Sequence, residues 1–228
     1  MHLISDIRCV VFDFDGTIVD SNGIKRDAFL AVAEAFPGGA VLMAEILARP
    51  DAGDRYRVMD SFHHALRAAG GVPGAGDVPG GLDLANRYTA MVEELVLKAA
   101  EIPGASDCLR WLDDAGIPAY LNSATPSGPL TRIIAQSRFA PLFKGIYGGP
   151  ASKAENLRII MDLEGVGPDQ LLMVGDGEPD RVGAELIGCP FLALENSFSR
   201  FAQRPSAIIA DLTGFPAILR PHLTQKRG

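Results

Sequence analysis

The chain has 228 residues, of which 47% are hydrophobic, and this length fits one large domain or a domain with a smaller insert. Its formal net charge is -7 and it carries no basic run, which argues against a nucleic-acid-binding protein but not against a small anionic substrate. The sequence contains no stretch of about 18 uninterrupted apolar residues, so it predicts no membrane-spanning helix. Three scattered cysteines are typical of core residues in a reducing compartment. We expect a cytoplasmic protein, either a monomer or a homodimer, without a nucleic-acid or membrane partner.

The first predicted strand, Ile7 to Asp13, ends in negative charge. It leads into the stretch CVVFDFDGTIVDS, where Asp15 follows Asp13 by two residues. Because side chains alternate along an extended chain, both carboxylates lie on one side of it, with Phe14 on the other. A turn alone would explain Asp15 and Gly16. A buried carboxylate at position 13 needs a compensating cation, and a hard divalent ion with oxygen ligands would supply it.

The rest of the chain divides into a helical part and an alternating part. Residues 22–100 are predicted to contain about four helices, at 22–36, 41–48, 55–69 and 84–100. After residue 104, predicted strands (117–121, 145–147, 171–174, 191–194 and 207–210) alternate with predicted helices (105–115, 129–137, 153–163 and 180–187). This alternation predicts an α/β fold with a parallel sheet covered on both faces. The α/β core comprises residues 1–20 and 101–228, and residues 21–100 form a helical insert after the first strand.

Polar residues follow several predicted strands, at the sheet edge where ligands bind in such folds. The segment NSAT follows the strand 117–121, GDGEPD follows 171–174, and Lys153 begins a helix. Each has an ordinary explanation when taken singly, such as a helix cap for Ser123, a solvated lysine, or acids in a turn and a first helical turn for Asp176 and Asp180. The ordered set instead favours a site for phosphate and a metal ion.

This set of motifs, DFDGTIVDS, LNSAT, Lys153 and GDGEPD, resembles that of the haloacid dehalogenase superfamily of hydrolases. The branch that it resembles has a helical cap after the first strand and includes phosphoglycolate phosphatases and β-phosphoglucomutases. The resemblance covers nearly the whole chain and implies a Rossmann-like core. One departure is that many relatives follow the lysine with proline, whereas Ala154 follows it here.

The resemblance also implies the roles of individual residues. Asp13 is the nucleophile that forms an aspartyl phosphate, and Asp15 is the acid and base. The implied catalytic residues are Asp13, Asp15, Ser123 and Lys153. The implied phosphate-binding residues are Gly16, Ser123, Ala124 and Lys153, with backbone amides serving at Gly16 and Ala124. Mg²⁺ is the implied cofactor, with the ligands Asp13, Asp15 (through its backbone carbonyl), Asp176 and Asp180.

Three further residues receive weaker expectations. Ser21 is expected near the hinge, without a chemical role. In the insert, Arg55 and Arg57 follow a glycine and could grip a second anionic or hydroxylated part of the substrate. The alternative is that both arginines are solvated helix residues.

The function implied is a magnesium-dependent phosphatase acting on a small phosphorylated metabolite, a sugar phosphate or a phosphoglycolate-like acid. Within the resemblance, Asp15 favours phosphate-ester chemistry over dehalogenation or phosphonate cleavage. A phosphomutase of the β-phosphoglucomutase type would use the same residues. A catalytically idle binding or regulatory module is the alternative from another class. A dinucleotide-binding protein is disfavoured because GDGEPD lacks the glycine-rich spacing.

Overall fold

The computed structural model describes residues 6–49, 52–70 and 78–223. The chain divides into two compact units, one formed by Met1–Ser21 with Ala99–Gly228 and the other by Asn22–Lys98. Residues 21, 99 and 100, which the sequence analysis assigns to the insert, therefore belong to the first unit. Among the helices in the described part of the chain, none combines the length and the apolar character that crossing a membrane requires.

The first unit contains a six-stranded parallel sheet of order β3-β2-β1-β4-β5-β6. The strands are β1 (Cys9–Phe12), β2 (Ala119–Pro126), β3 (Gly145–Gly149), β4 (Leu171–Gly175), β5 (Phe191–Leu194) and β6 (Ile208–Ile209). β1 lies between β2 and β4, so the carboxyl ends of these three strands meet at one edge of the sheet. The predicted α/β fold is thereby confirmed.

Four helices form the second unit: α1 (Asn22–Glu34), α2 (Gly39–Leu47), α3 (Arg55–Ala68) and α4 (Gly81–Leu97). Each buries one apolar face, for example Met59, Phe62 and Leu66 on α3. The rings of Phe29 and Tyr88 stack between α1 and α4 with centroids 4.0 Å apart. Apolar residues spaced as they are on α3 allow a helix to bury one side.

The helices of the first unit are α5 (Ala105–Asp114), α6 (Ser127–Ala135), α7 (Lys153–Glu164), α8 (Glu178–Ile187) and α9 (Phe215–Leu219). Cys9 and Val11 of β1 face a core completed by Leu157 and Ile160 of α7. The alternate residue Phe12 contacts Phe215 of α9, with ring centroids 5.7 Å apart. Both faces of the sheet are therefore covered, which explains why β1 is buried throughout.

Several observed elements differ from the predicted ones. β2 continues to Pro126 instead of ending at residue 121, because it pairs with β3 at Asn122 and again, after a register shift, at Pro126. β1 ends at Phe12, one residue before the predicted end. α8 begins at Glu178 rather than 180, because Pro179 fits the first turn of a helix. The short α9 was not predicted, since five residues are too few to show a helical period.

Candidate active site

Lys153 is the first residue of α7, and its side chain reaches the end of β1. Its Nζ atom lies 2.5 Å from Asp13 Oδ1 and 2.6 Å from Asp180 Oδ1, and all three side chains are buried. The Asp13 amide donates to the carbonyl oxygen of Val174 across 2.8 Å, which holds Asp13 beside β4. The ammonium group therefore bridges two carboxylates that are far apart in the sequence.

Asp13, Asp176 and Asp180 form a buried cluster that we call the acidic triad. One carboxylate oxygen of each lies within 4.8 Å of the others. Asp176 directly follows β4, and Asp180 lies in the first turn of α8, where it accepts a hydrogen bond from the Gly177 amide across 3.1 Å. Neighbouring parallel strands thus bring together the acids that the sequence analysis selected at two strand ends.

The charges of this cluster perturb one another. Burial raises the pKa of Asp13, Lys153 opposes this change, and the nearby Asp180 and Asp15 raise it further. Burial also raises the pKa of Asp180, again with Lys153 opposing and Asp176 adding. For Lys153, burial disfavours the charged form, but Asp13 and Asp180 outweigh it and raise the pKa, so the ammonium stays charged at neutral pH. The site is therefore rich in negative charge that one lysine does not balance.

Two glycines give these side chains their space. A Cβ atom on Gly175 would lie 2.4 Å from Asp180 Cγ, and a Cβ atom on Gly183 would lie 2.7 Å from Lys153 Cβ. Both distances are far below van der Waals contact, so any side chain here would displace a charged residue of the site. Gly175 ends β4 and Gly183 lies on α8, where it lets α7 approach.

Asp15 is held separately by three hydroxyl groups. Ser21 Oγ donates to Asp15 Oδ1 across 2.7 Å, and Thr125 Oγ1 donates to Asp15 Oδ2 across 3.2 Å. Ser123 Oγ lies 3.5 Å from the same Oδ2 atom. Ser21 is fully buried, and Ser123 and Thr125 belong to β2. Asp15 is thus oriented at both carboxylate oxygens, whereas Asp13 is paired with an ammonium.

The predicted phosphate-binding residues occupy different environments. Ser123 is buried, and its Oγ also accepts a hydrogen bond from the Thr125 amide across 3.1 Å. Ala124 is exposed and lies within β2 rather than after it. The Gly16 amide donates to the carbonyl oxygen of Val19 across 2.7 Å, so this donor already has an acceptor. The phosphate contact of Gly16 stays a prediction.

Asn196, which follows β5, also reaches the acidic triad. Its Nδ2 donates to Asp176 Oδ2 across 2.8 Å and lies 3.4 Å from the carbonyl oxygen of Gly16. Its Oδ1 accepts from the Phe198 amide across 2.8 Å, which fixes the orientation of the carboxamide. Asn196 therefore ties the ends of β4 and β5 to the turn after β1.

The two arginines of the insert have contrasting positions within the second unit. Arg55 is buried, donates from its NH1 group to Thr89 Oγ1 across 3.0 Å, and lies over the Tyr88 ring at 5.3 Å. Arg57 is exposed. Asp54, just before them, caps α3 by accepting hydrogen bonds from the amides of residues 56 and 57. Arg55 is therefore not the solvated residue of the alternative interpretation, and substrate contact by either arginine stays a prediction.

Sequence reasoning missed several residues that hold the site in place: Ser21, Asn122, Thr125, Asn156 and Asn196. Ser21 was expected to have no chemical role, yet it contacts Asp15. Asn122 and Thr125 stand in the quoted segment LNSAT, and Asn196 follows a predicted strand, so the strand-end argument that selected Asp176 would also have selected them. Asn156 carries no such signal, because its role depends on contacts with β2.

The acidic triad fits a magnesium ion by its donor chemistry. Carboxylate oxygens are the ligands that Mg²⁺ prefers, and three of them converge in a buried position. Three ionised carboxylates beside one ammonium leave an excess of two negative charges, which one divalent cation would balance. Burial raises the pKa of Asp13 and of Asp180, and neighbouring carboxylates raise both further, so a bound cation would favour the ionised form of each.

A parallel sheet with charged side chains converging at its carboxyl edge is the ligand-binding arrangement of a doubly wound α/β protein. A family model described as haloacid dehalogenase-like hydrolase matches residues 7–188, which is more than half of the chain. The chain therefore belongs to the haloacid dehalogenase-like hydrolases. The resemblance inferred from the motifs is confirmed.

Named relatives support the same placement. The chain is 28% identical over 225 residues to a phosphoglycolate phosphatase of Pseudomonas putida, an alignment that covers 90% of this chain and 77% of the relative. A solved structure of a predicted phosphoglycolate phosphatase from Haemophilus somnus 129PT matches with a TM-score of 0.72 at 21% identity, covering 93% of this chain and 97% of that one. A protein of Thermotoga maritima assigned as a β-phosphoglucomutase matches with a TM-score of 0.73 at 16% identity, covering 95% and 100%. These two structural likenesses show the fold.

Proposed function

We propose that this chain is a magnesium-dependent phosphatase that hydrolyses a small phosphorylated metabolite through an aspartyl phosphate on Asp13. The observation that carries the proposal is that the carboxylates of Asp13 and Asp15, two residues apart, have different hydrogen-bonding partners. Asp13 belongs to the buried acidic triad and contacts Lys153, whereas Asp15 is oriented by hydroxyl groups. Two neighbouring carboxyl groups in different environments can take different roles, one as the nucleophile and the other as the acid and base.

In the proposed reaction, a carboxylate oxygen of Asp13 attacks phosphorus while the bond to the leaving oxygen breaks. Asp15, in its protonated form, gives its proton to that oxygen. It then accepts a proton from the water that attacks the aspartyl phosphate, which releases phosphate and restores Asp13. The hydrogen bonds from Ser21 and Thr125 keep Asp15 in one orientation during both proton transfers.

The remaining proposed residues bind and neutralise. Asp13, Asp176, Asp180 and the backbone carbonyl of Asp15 would hold Mg²⁺, which supplies positive charge that screens the anionic nucleophile from the anionic substrate. Ser123, Lys153 and the amide of Ala124 would hold the phosphoryl oxygens. Lys153 suits this role because its ammonium stays charged in a buried place.

The proposed substrate class rests on the relatives. Several proteins named phosphoglycolate phosphatase are 26–28% identical to this chain over most of its length. Phosphoglycolate and small sugar phosphates are therefore the first substrates to test. We place the protein in the cytoplasm, a location supported by three free and buried cysteines.

The test is phosphate release from p-nitrophenyl phosphate, phosphoglycolate and a panel of sugar phosphates, with Mg²⁺ or with EDTA. The Asp13→Asn variant provides the comparison, and circular dichroism reports whether it folds. We expect magnesium-dependent release by the wild type and none by the variant. An active and well-folded Asp13→Asn protein would overturn the mechanism.

Two other outcomes point to the alternatives. If a hexose 1-phosphate disappears without phosphate release, the protein is a phosphomutase. If folded wild-type protein with Mg²⁺ neither releases phosphate nor isomerises any sugar phosphate, the catalytically idle module becomes the better description. Whenever the protein is active, the ranking of the substrates in the panel limits the leaving groups that it accepts.

A further inference from the structure

Two fully enclosed asparagines, Asn122 on β2 and Asn156 on α7, lie beside Lys153. Asn122 has 0% and Asn156 has 2% of its surface exposed. Asn156 Nδ2 donates to Asn122 Oδ1 across 2.9 Å, and Asn122 Nδ2 donates to the carbonyl oxygen of Lys153 across 3.0 Å. The Lys153 ammonium in turn donates to the carbonyl oxygen of Asn122. Asn122 therefore contacts both the main chain and the side-chain end of Lys153.

This pair is unusual for its surroundings. The nearby positions on the two elements, Leu121 and Leu157, are buried and apolar. Burying a carboxamide has a cost that only hydrogen bonding offsets, so an apolar pair would serve a simple packing role at least as well. The two amides instead form an unbroken chain of hydrogen bonds that ends at Lys153.

Lys153 requires such support because of its position. A lysine has four rotatable side-chain bonds, and its ammonium must stay between Asp13 and Asp180. It is also the first residue of α7, where helices fray most readily. The capping box holds the start of this helix through hydrogen bonds between Ser152 and Glu155. The asparagines attach this helix start to β2, through Asn122 to the Lys153 carbonyl oxygen and through Asn156 to Asn122.

We infer that Asn122 and Asn156 form an amide clamp that positions the Lys153 ammonium for phosphoryl binding. Both are positioning residues, since they act through Lys153 and do not touch the reacting atoms. The inference rests on the proposed function for the role of Lys153. Its structural half, that the clamp keeps the ammonium buried between two carboxylates, stands independently and can be measured without any activity.

The activity-independent test is reductive methylation of lysine amines, followed by peptide mass spectrometry. Lys144, whose side chain is 57% exposed, is the internal reference. We expect Lys153 of the wild type to be methylated at least about tenfold more slowly than Lys144, because it is buried and paired with two carboxylates. Asn122→Ala and Asn156→Ala should each remove most of this protection.

Ser152→Ala is the matched control for these variants. It removes the side-chain cap from the same helix start and leaves the clamp intact, so it should lower the melting temperature and leave Lys153 protected. Unchanged protection of Lys153 in a folded Asn156→Ala protein would overturn the inference. That result is distinct from failure of the proposed function, which the Asp13→Asn variant reports.

The kinetic test separates positioning from stability. We expect Asn156→Ala to lower kcat for p-nitrophenyl phosphate by about tenfold or more and to weaken inhibition by inorganic phosphate, whereas Ser152→Ala changes neither. In a Lys153→Met background, Asn156→Ala should have no further effect on kcat, because the clamp acts through the missing ammonium. An equal fall in kcat with and without Lys153 would reduce the clamp to a packing feature.

Discussion

The hydroxyl group of Ser21 donates a hydrogen bond of 2.7 Å to Asp15, and Ser21 itself is fully buried. Thr125, which lies on β2, donates to the other carboxylate oxygen of Asp15. These two donors come from different segments of the first unit, so the orientation of Asp15 depends on the packing of both. A carboxyl group held at both oxygens has a restricted orientation.

The first prediction concerns Ser21→Ala. Ser21→Ala removes the hydroxyl group at Asp15 Oδ1 and leaves those of Thr125 and Ser123 at Oδ2, so Asp15 is held less firmly. We therefore expect kcat to fall by about tenfold for an alkyl phosphate such as glycerol phosphate. The fall should be smaller for p-nitrophenyl phosphate, because nitrophenolate leaves without needing a proton. Steady-state kinetics with both substrates measure the difference.

Ser106→Ala is the control for that experiment. Ser106 is another buried serine that donates to a carboxylate, that of Glu101, and it lies on α5. Its loss should affect stability without distinguishing the two substrates. Equal losses of kcat with both leaving groups in Ser21→Ala would contradict a role in proton transfer.

The second prediction concerns Asn196→Ala. Asn196 donates to one oxygen of Asp176, and partners that orient a metal ligand typically account for about 10- to 100-fold in metal affinity. We expect the dissociation constant for Mg²⁺ to rise by about tenfold or more, measured by isothermal titration calorimetry on the wild type and the variant. Ser199 Oγ accepts a hydrogen bond from the backbone amide of Asn196 and donates one to the carbonyl oxygen of Leu194. Ser199→Ala removes these two hydrogen bonds but leaves the side chain of Asn196 on Asp176, so it should bind Mg²⁺ normally.

The third prediction concerns the thiols. Burial raises the pKa of both Cys9 and Cys189 to about 12, from 9.0, and burial also raises the pKa of Cys108. A thiol that is buried and protonated is a poor nucleophile. The native protein should therefore not react with Ellman's reagent at pH 8, and unfolding in guanidinium chloride should release all three thiols. Rapid reaction of the native protein would show that the cysteines are accessible.

The same shifts set a direction for stability. The unfolded chain loses its thiol protons near pH 9, whereas the native chain keeps them until about pH 12. The contribution of each cysteine is complete below pH 9 and decreases as the pH rises between these values. Urea unfolding at pH 7.5 and 10 should show a smaller loss of stability in Cys189→Ala than in the wild type. If the wild type and Cys189→Ala lose equal stability between the two pH values, groups other than Cys189 cause the loss.

The fourth prediction concerns Arg55 of the helical unit. Arg55→Ala removes a buried hydrogen bond to Thr89 and the cation–π contact with Tyr88, so it should lower the free energy of unfolding by about 1–3 kcal/mol. The exposed Arg57 is the matched control, and Arg57→Ala should cost less. Chemical denaturation measures both variants. The KM of each variant, measured with the preferred substrate, decides whether either arginine also contacts it.

The outcome of the sequence analysis depended on how local each signal was. The sequence analysis selects Asp13 and Asp176 because each directly follows an apolar strand, and the strand order places these two ends together. Lys153 is selected only through the order of the motifs, since a lone lysine at a helix start is ordinary. The length of β2 was missed because hydrogen bonds from β3, not the composition of NSAT, extend it.

Other parts of the site could not be read from local pattern. Asn156 stands 34 residues from Asn122, and only the packing of α7 against β2 makes them partners. Arg55 looks like a surface residue in a helix, but Tyr88 and Thr89 of α4 enclose it. Such pairings depend on tertiary contacts, which the hydrophobic period of a single segment does not encode.

Gly175 and Gly183 contribute no functional group, yet their missing side chains make room for Asp180 and Lys153. A transplant of the charged residues of this site into another α/β scaffold must therefore also keep glycine at both of these positions. A host with alanine at the equivalent of Gly183 would push the lysine off its two carboxylates. Ranking positions by the chemistry of their side chains would overlook both glycines, although the charged residues depend on them.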